Sequence, residues 1–430
     1  MRRLRALSAL AAVAALCCAS APRAQSLAVV HARLFAVDGR GEIDDATVVV
    51  EGGKVLRAGA HLAAPTGARI IDAGGHVVTP GLMNAGTQLG LVEIDAIADT
   101  TDHSAAAGPL GAAFDVQYAL NPNSTLLPLA RADGLTRAGT YPGGSASPPF
   151  AGLAAVLRLS DGQEILDRPR AMMFANIGGM AAAKTGGSRA AAWTQLRAAL
   201  DEARRFEALR AHGGPRDQLI NHLDAEALAP VLAGTTSLAI VAARESDIRQ
   251  AVRLADDYGV RVVVFGGAEA WRAADLLAAH KIPVVLNPFD DVPATFDEIG
   301  ARLDNAALLQ RAGVVIAFEV PGIHFSHDAG AGAREAAGLA VANGLPWDEA
   351  LKALTANPAR IWGVAAHYGT LAPGQDADLV IWDGDPLEPT SAPTLVLVKG
   401  TEVSLETRQK ALARRYAPSH RSDPWPAQYR

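Results

Sequence analysis

Cysteine is nearly absent from this sequence, and both of its cysteines lie close to the N-terminus. Cys17 and Cys18 fall inside a segment that we expect to be removed, so the predicted mature chain contains no thiol. This excludes disulfide bonds, cysteine nucleophiles and cysteine-ligated metal sites from the mature protein. Long apolar runs are missing as well, since no segment reaches the roughly twenty apolar residues that a membrane-spanning helix needs.

An excess of positive charge is also missing. The formal net charge is -6, and acidic and basic residues are interspersed, so no long basic stripe is available for nucleic acid. The chain contains no G-x-S-x-G elbow, no P-loop and no G-x-G-x-x-G fingerprint. We therefore expect no nucleic-acid partner and none of the sites that these three motifs mark.

The N-terminal segment has the pattern of a secretory signal. Three arginines among the first five residues precede a short apolar run, Ala6–Leu16, which leads into small residues. We predict a signal peptide over residues 1–25 and a mature protein in the periplasm or secreted, without a stable membrane anchor. A lipoprotein anchored at Cys17 or Cys18 is the alternative, although neither cysteine follows the small residue that such processing favours.

The rest of the chain divides into two kinds of pattern. Short alternating apolar runs broken by glycine and proline fill residues 27–78, and similar strand-like runs return after residue 368, so we expect both ends to meet in one β unit. Between them, apolar strand-like runs alternate with helical periodicity, as in the predicted helices Glu245–Tyr258 and Glu269–His280. This alternation predicts a parallel sheet of βα units, which fits a closed barrel or a doubly wound sheet.

Three segments resemble the amidohydrolase superfamily. Val78–Gly90 has the frame of that family's V-x-P-G-L-I-D-A-H-x-H-L-G segment, and Thr355–Arg360 resembles its T-x-N-P-A-R helix. Gly369–Asp385 is similar to its G-x-L-x-P-G-x-D-A-D-L-V-x-W-D-G-D-P return strand. The resemblance covers nearly the whole mature chain and is strongest to the exported imidazolonepropionase-like group.

This resemblance implies an α/β fold with a (β/α)8 TIM-type barrel and a small β-sandwich domain built from both chain ends. The barrel would cover residues 79–367, the sandwich residues 26–78 plus 368–410, and a C-terminal tail residues 411–430. The resemblance also implies hydrolysis of C–N bonds in cyclic amides or dipeptide-like compounds, with one or two zinc ions activating water.

The metal ligands that the resemblance implies are all replaced. At the five matched positions this sequence has residues that bind a divalent ion poorly or not at all: Gly86, Gln88, Ala242, Gly266 and Pro321. Zinc prefers imidazole, thiolate or carboxylate donors, and none of these side chains supplies one. We therefore predict no zinc and no other cofactor, although zinc is what the family would lead one to expect.

One loop could supply a relocated metal site. His324, His327 and Asp328 follow the strand where the family's aspartate would lie, and they offer two imidazoles and a carboxylate. The alternative is a polar surface loop in which Asp328 caps the next helix.

Several carboxylates near predicted strand ends could instead form an acid and base pair. Asp95 lies in an acidic loop after Gln88, and Glu319 directly follows a core strand. Glu245 and Glu269 lie at helix starts, where the helix dipole already favours an acidic side chain. Glu319 has no such explanation, so Glu319 and Asp95 are the predicted catalytic candidates.

Ligand contacts are predicted on the same rim. Gln88, Tyr141 and Ser145 are the candidate substrate-binding residues, because the loop from Tyr141 to Ser145 offers backbone amides beside a strand end. A flexible rim loop without a ligand is the alternative.

Two functional hypotheses follow. The first is an exported protein with the amidohydrolase fold that has lost the metal centre and binds a small molecule or partner. The second is a hydrolase that acts on non-peptide C–N bonds through a relocated metal or a carboxylate pair. The five replaced ligands favour the first, because a fold does not by itself imply the function of its relatives.

Overall fold

The computed structural model describes residues 26–94, 97–210, 219–320 and 327–416. Within these ranges the chain forms two eight-stranded sheets and eleven α-helices. One sheet is built from both ends of the chain, and the other forms a nearly closed barrel from the middle.

The first sheet joins the N-terminal and C-terminal parts of the described chain. Its strands are β1 (Leu27–Phe35), β2 (Glu42–Glu51), β3 (Lys54–Ala60), β4 (Arg69–Asp72), β5 (Val77–Pro80), β14 (Leu379–Trp382), β15 (Pro393–Val398) and β16 (Thr401–Glu402). The order is β16-β15-β14-β5-β1-β2-β3, with β4 paired to β1. The two chain ends meet where β14 runs antiparallel to β5, with Leu379 opposite Pro80. Alternating side chains such as Val29 and Val48 fill the core of this second domain.

The barrel contains the other eight strands in chain order. They are β6 (Leu82–Thr87), β7 (Leu135–Thr140), β8 (Phe150–Arg158), β9 (Leu166–Asn176), β10 (Ser237–Ala242), β11 (Val262–Gly266), β12 (Val284–Leu286) and β13 (Ile316–Phe318). The first and last strands approach each other, and the Asn84 side chain donates a hydrogen bond to the Ala329 carbonyl beyond β13 (2.8 Å). The predicted TIM-type barrel with a second domain is confirmed.

One strand of the barrel departs from the simple βα alternation. Strand β8 runs antiparallel to both β7 and β9, whereas the other described neighbours in the barrel pair in parallel. The short connection from Arg158 to Leu166 leaves no room for a crossover helix, because parallel neighbours need a connection of about a dozen residues or more. The apolar sequence of β8 is buried along nearly its whole length, as a parallel strand would be.

The helices pack around the barrel, apart from the last described helix, which buries no residue. They are α1 (Leu126–Ala132), α2 (Gly179–Lys184), α3 (Arg189–Arg210), α4 (His222–Leu232), α5 (Glu245–Tyr258), α6 (Ala274–Ala279), α7 (Asn305–Arg311), α8 (Ala331–Ala342), α9 (Trp347–Ala353), α10 (Ala356–Ile361) and α11 (Arg408–Tyr416). The predicted helix Glu245–Tyr258 is confirmed as α5, which buries Ile248, Val252 and Leu254. None of the described helices is long and apolar enough to span a membrane.

Candidate functional site

Four strand ends bring their residues together at the carboxyl-terminal mouth of the barrel. Gly86 lies near the end of β6, Tyr141 follows β7, Gly266 ends β11, and Glu319 follows β13. Because parallel strands point their carboxyl ends toward one face, these positions converge although they are far apart in sequence. Glu319 is the residue that contacts the other three.

The carboxyl group of Glu319 is held from two sides. The Gly266 amide donates a hydrogen bond to Oε1 (3.2 Å), and the Tyr141 hydroxyl lies 3.5 Å from Oε2. Only 4% of Glu319 is exposed to solvent. A methyl group built on Gly86 would overlap Oε2 and lie 2.8 Å from Glu319 Cβ. Glu319 therefore occupies the space that any side chain at position 86 would need.

Burial gives Glu319 an unusual protonation state. Desolvation, assisted by the nearby charge of Asp290, raises the pKa of Glu319 from 4.5 to about 8, although the Gly266 amide and Tyr141 act in the opposite direction. Burial and the charge of Glu298 also raise the pKa of Asp290, to about 6. At neutral pH the site thus combines a neutral acid, Glu319, with a carboxylate that is mostly ionised, Asp290.

Aromatic rings form the floor beneath this acid. The Tyr141 ring stacks on Phe174 at a centroid distance of 4.7 Å and an interplanar angle of 4°, and Phe265 meets Phe174 edge-on at 4.8 Å. Trp362 closes the group and donates its indole N–H to the Ala85 carbonyl (3.0 Å). Burial, followed by the proximity of Glu319, raises the pKa of Tyr141 well above its usual value, so its hydroxyl stays protonated.

The residues at the family's metal positions do not fit a divalent cation. Gly86 has no side chain, and the space beside it is filled by Glu319. Ala242 and Gly266 are paired across β10 and β11 and bring no donor atom from a side chain. Over the described parts of the chain, no group of three or more histidine, cysteine, aspartate or glutamate residues could hold a metal ion. Pro321, the fifth position, lies outside the described residues.

The other predicted ligand contacts lie on the loop above Tyr141. Gln88 is buried, and its Nε2 would lie 3.1 Å from a methyl group built on Gly143, so it packs against this loop. Ser145 donates its hydroxyl to the Phe150 carbonyl (2.5 Å) and accepts from the Ser147 amide (3.2 Å). Ser145 therefore holds the loop in shape, whereas Gln88 and Tyr141 lie at the mouth itself.

The proposed relocated metal site is only partly described. His324 lies outside the described residues, as does the catalytic candidate Asp95. His327 is partly exposed, and Asp328 is exposed just before α8, where its carbonyl accepts from the Gly332 amide (2.7 Å). The described residues of this loop thus lead directly into helix α8.

Two other acidic residues at strand ends have structural partners. Glu269 accepts hydrogen bonds from the Glu245 amide (3.0 Å) and the Gly300 amide (2.9 Å), so it ties the start of α5 to a loop. Glu245 itself pairs with Arg249 one turn later. These contacts agree with the helix-start interpretation of both residues.

Asp290 is the residue that sequence reasoning missed. It follows β12 within Asn287-Pro288-Phe289-Asp290, and the Asn287 side chain donates to its Oδ1 (2.7 Å). The available signal was a carboxylate shortly after an apolar strand. The same signal predicts Glu319, which directly follows β13.

Comparison with known proteins finds amidohydrolases. The model of the amidohydrolase family matches residues 304–404. The structure of an amidohydrolase from Thermotoga maritima MSB8 superposes with a TM-score of 0.79 and 26% identity, covering 88% of this chain and 99% of that one. Both matches support the amidohydrolase superfamily for this chain.

More distant solved structures share the fold alone. An adenosine deaminase from Xanthomonas campestris, solved with bound zinc, has a TM-score of 0.52 and 18% identity, covering 92% of this chain and 98% of that one. Among curated proteins, amidohydrolase tasK of Hapsidospora irregularis is 43% identical over 58 residues. That match spans 14% of this superfamily member but only 6% of tasK.

Proposed function

We propose that this protein is a metal-independent member of the amidohydrolase superfamily that binds a small molecule at the carboxyl-terminal mouth of its barrel. The single observation that carries the proposal is the placement of Glu319 against Gly86, where a buried carboxyl group fills the space of a missing side chain. The N-terminal sequence pattern supports the further proposal that the protein acts after export, in the periplasm or outside the cell.

The chemistry of the mouth supports this proposal. A divalent cation would require ionised or neutral-imidazole donors arranged around it, and binding would displace protons from them. Glu319 instead lies beside the Gly266 amide and the Tyr141 hydroxyl, and Gly86 next to it offers no side-chain donor atom. A neutral acid and a tyrosine on an aromatic floor suit a small polar organic ligand better than an ion.

Elemental analysis of untagged protein tests the proposal. Zinc, manganese and iron should each be far below one atom per chain, both as purified and after incubation with the metal and desalting. The double variant His324→Ala and His327→Ala should give the same values. Stoichiometric metal that is lost in that variant would contradict the proposal and establish the relocated site.

A second candidate function is favoured by the Asp290–Glu319 relationship. Asp290 is the second cause of the raised pKa of Glu319, which places an ionised carboxylate near a neutral acid. Such a pair could activate water through Asp290 and protonate a leaving nitrogen through Glu319, without a metal. The reaction would be hydrolysis of a non-peptide C–N bond.

Metal-free protein incubated with dipeptides, hydantoins and imidazolones tests this candidate. Turnover that is lost in both Asp290→Asn and Glu319→Gln would support it. Turnover that survives in both variants would show that other groups carry the catalysis, and its absence from the unaltered protein would leave ligand binding as the function.

A further inference from the structure

The two oxygens of Glu319 have different surroundings, and this difference locates its proton. Oε1 accepts the Gly266 amide hydrogen, so a proton on the carboxyl group belongs on Oε2. Oε2 faces Gly86 and the Tyr141 hydroxyl. Because Gly86 contributes no side chain, Tyr141 Oη is the acceptor that the structure places near this proton.

A proton on Oε2 fixes the direction of the next hydrogen bond. If Glu319 donates to Tyr141 Oη, the tyrosine's own hydrogen cannot point back toward Glu319. The tyrosine hydrogen is then free for another acceptor, and Tyr141 is partly exposed whereas Glu319 is buried. Chains of hydrogen bonds of this kind polarise one another, which strengthens the terminal donor.

We propose that Tyr141, oriented by the neutral acid of Glu319, is the hydrogen-bond donor that the barrel mouth offers to an amide carbonyl oxygen of the ligand. This inference rests on the proposed function, because it assigns the ligand group and the residue that recognises it at the same site. Tyr141 is the binding residue, and Glu319 is a positioning residue that acts through it. The pair supplies by hydrogen bonding the attraction for a carbonyl oxygen that a cation would supply by charge.

The charges around the pair select a neutral carbonyl over a carboxylate. Asp290 is the charged group that acts on Glu319, and it is itself surrounded by Glu298, Asp291 and the neutral Asn287. The elements that carry Gly86 and Gly266 bring no charged side chain to Glu319 at those positions. An anionic ligand group would meet this negative field, whereas an amide carbonyl would not.

The protonation state of Glu319 should determine whether the Tyr141 hydroxyl can donate a hydrogen bond to the ligand. Once Glu319 ionises, Tyr141 must turn its hydrogen toward Oε2, and the ligand loses its donor. Binding should therefore be constant at low pH and weaken as pH rises past about 8. Glutamine at position 319 would mimic the neutral acid, since its amide oxygen can accept from Gly266 and its NH2 group can donate to Tyr141.

Calorimetric titration with N-acetylglycinamide, a probe without a charge, tests the proposal in metal-free full-length protein. Affinity of the unaltered protein should fall about tenfold per pH unit above about pH 8. Glu319→Gln should bind about as tightly as the unaltered protein at pH 6 and lose the alkaline decline. At pH 6, Glu319→Ala and Tyr141→Phe should bind at least about tenfold more weakly than the unaltered protein, as expected for a lost hydrogen bond, and this difference should disappear as Glu319 ionises. N-acetylglycine should bind more weakly than the amide.

Three outcomes would overturn the proposal: no binding of the amide to unaltered protein, unchanged binding in Tyr141→Phe, or an alkaline decline that persists in Glu319→Gln. Circular dichroism of each variant establishes that it is folded, and Glu319→Gln serves as the matched variant if Glu319→Ala is not. Failure of this inference is distinguishable from failure of the proposed function. Stoichiometric metal contradicts the function, whereas metal-free protein with any of the three outcomes contradicts only the donor assignment.

Discussion

Two regions of the molecule bury carboxyl groups, and they do so in opposite ways. At the junction between the barrel and the first sheet, the fully buried Arg137 is shared by Asp376, Asp378 and Asp167. At the carboxyl-terminal mouth, Glu319 is equally enclosed, but no cation pairs with it among the described residues. The first region is an ion-pair cluster, and the second is a neutral acid.

The junction compensates its charges closely. Arg137 Nη2 lies 3.1 Å from Asp376, its Nε lies 3.4 Å from Asp167, and its Nη1 pairs with Asp378. Lys54 adds a second cation at 2.6 Å from Asp376. Burial alone would raise the pKa of Asp167, but Arg137 and His367 together lower it. Burial raises the pKa of Asp378, although Arg137 acts in the opposite direction. The cluster therefore links the two domains through one buried arginine that is shared by three acidic side chains.

The contrast separates structural carboxylates from candidate functional ones. A buried carboxylate with cationic partners is accounted for by the fold. A buried carboxyl group without them raises its pKa, and such groups concentrate at functional sites. Among the buried acids of these two regions, Glu319 is the one whose placement the fold does not explain.

The largest expected effect comes from removing the cation at the junction. Arg137→Met should lower the free energy of unfolding by roughly 3–5 kcal/mol, because it leaves buried carboxylates unpaired. Urea unfolding at neutral pH measures this loss. Arg158→Met is the matched control, since Arg158 reaches only the edge of the cluster, at 3.4 Å from Asp167. Equal losses in the two variants would show that the junction does not depend on its central cation.

The sequence predicted those elements whose hydrophobic pattern is compatible with only one type of secondary structure. The periodicity of Ile248, Val252 and Leu254 predicted helix α5 because only a helix puts these residues on one face. The antiparallel direction of β8 was not predictable, since an apolar run buried on both faces has the same sequence pattern in either direction. Motif resemblance, and not periodicity, selected the closed barrel.

The candidate site was predictable only in part. Glu319 stood out because it follows a core strand and has no helix start to explain it, and the structure places it at the centre of the mouth. Its catalytic role stays a prediction. Arg137 gave no comparable local signal, because its partners come from distant parts of the chain. Asp290 follows an apolar strand as Glu319 does, but its effect on Glu319 depends on the fold. Burial and charge coupling are properties of the folded chain.

The next largest effect concerns the pH dependence of stability. The pKa of Glu319 is raised in the fold, from 4.5 to about 8, so its favourable contribution is complete at low pH and is lost as pH rises toward 8. Between pH 5 and pH 7 the unaltered protein should lose roughly 2.5 kcal/mol of unfolding free energy relative to Glu319→Gln. Urea unfolding of both proteins at the two pH values checks this. Parallel pH profiles would mean that Glu319 titrates normally and that the contrast between the two regions is wrong.

The smallest effect tests the contact between Gly86 and Glu319 directly. Gly86→Ala should cost roughly 1–3 kcal/mol, because its methyl group would overlap Oε2 and lie 2.8 Å from Glu319 Cβ. Gly144→Ala is the matched control on the same rim, since nothing lies within 4 Å of its added methyl group. In a double-mutant cycle, Glu319→Ala should relieve part of the cost of Gly86→Ala, giving a coupling of roughly 1 kcal/mol. Additive losses would mean that Glu319 does not occupy the space beside Gly86, and the mouth would then be open to another group.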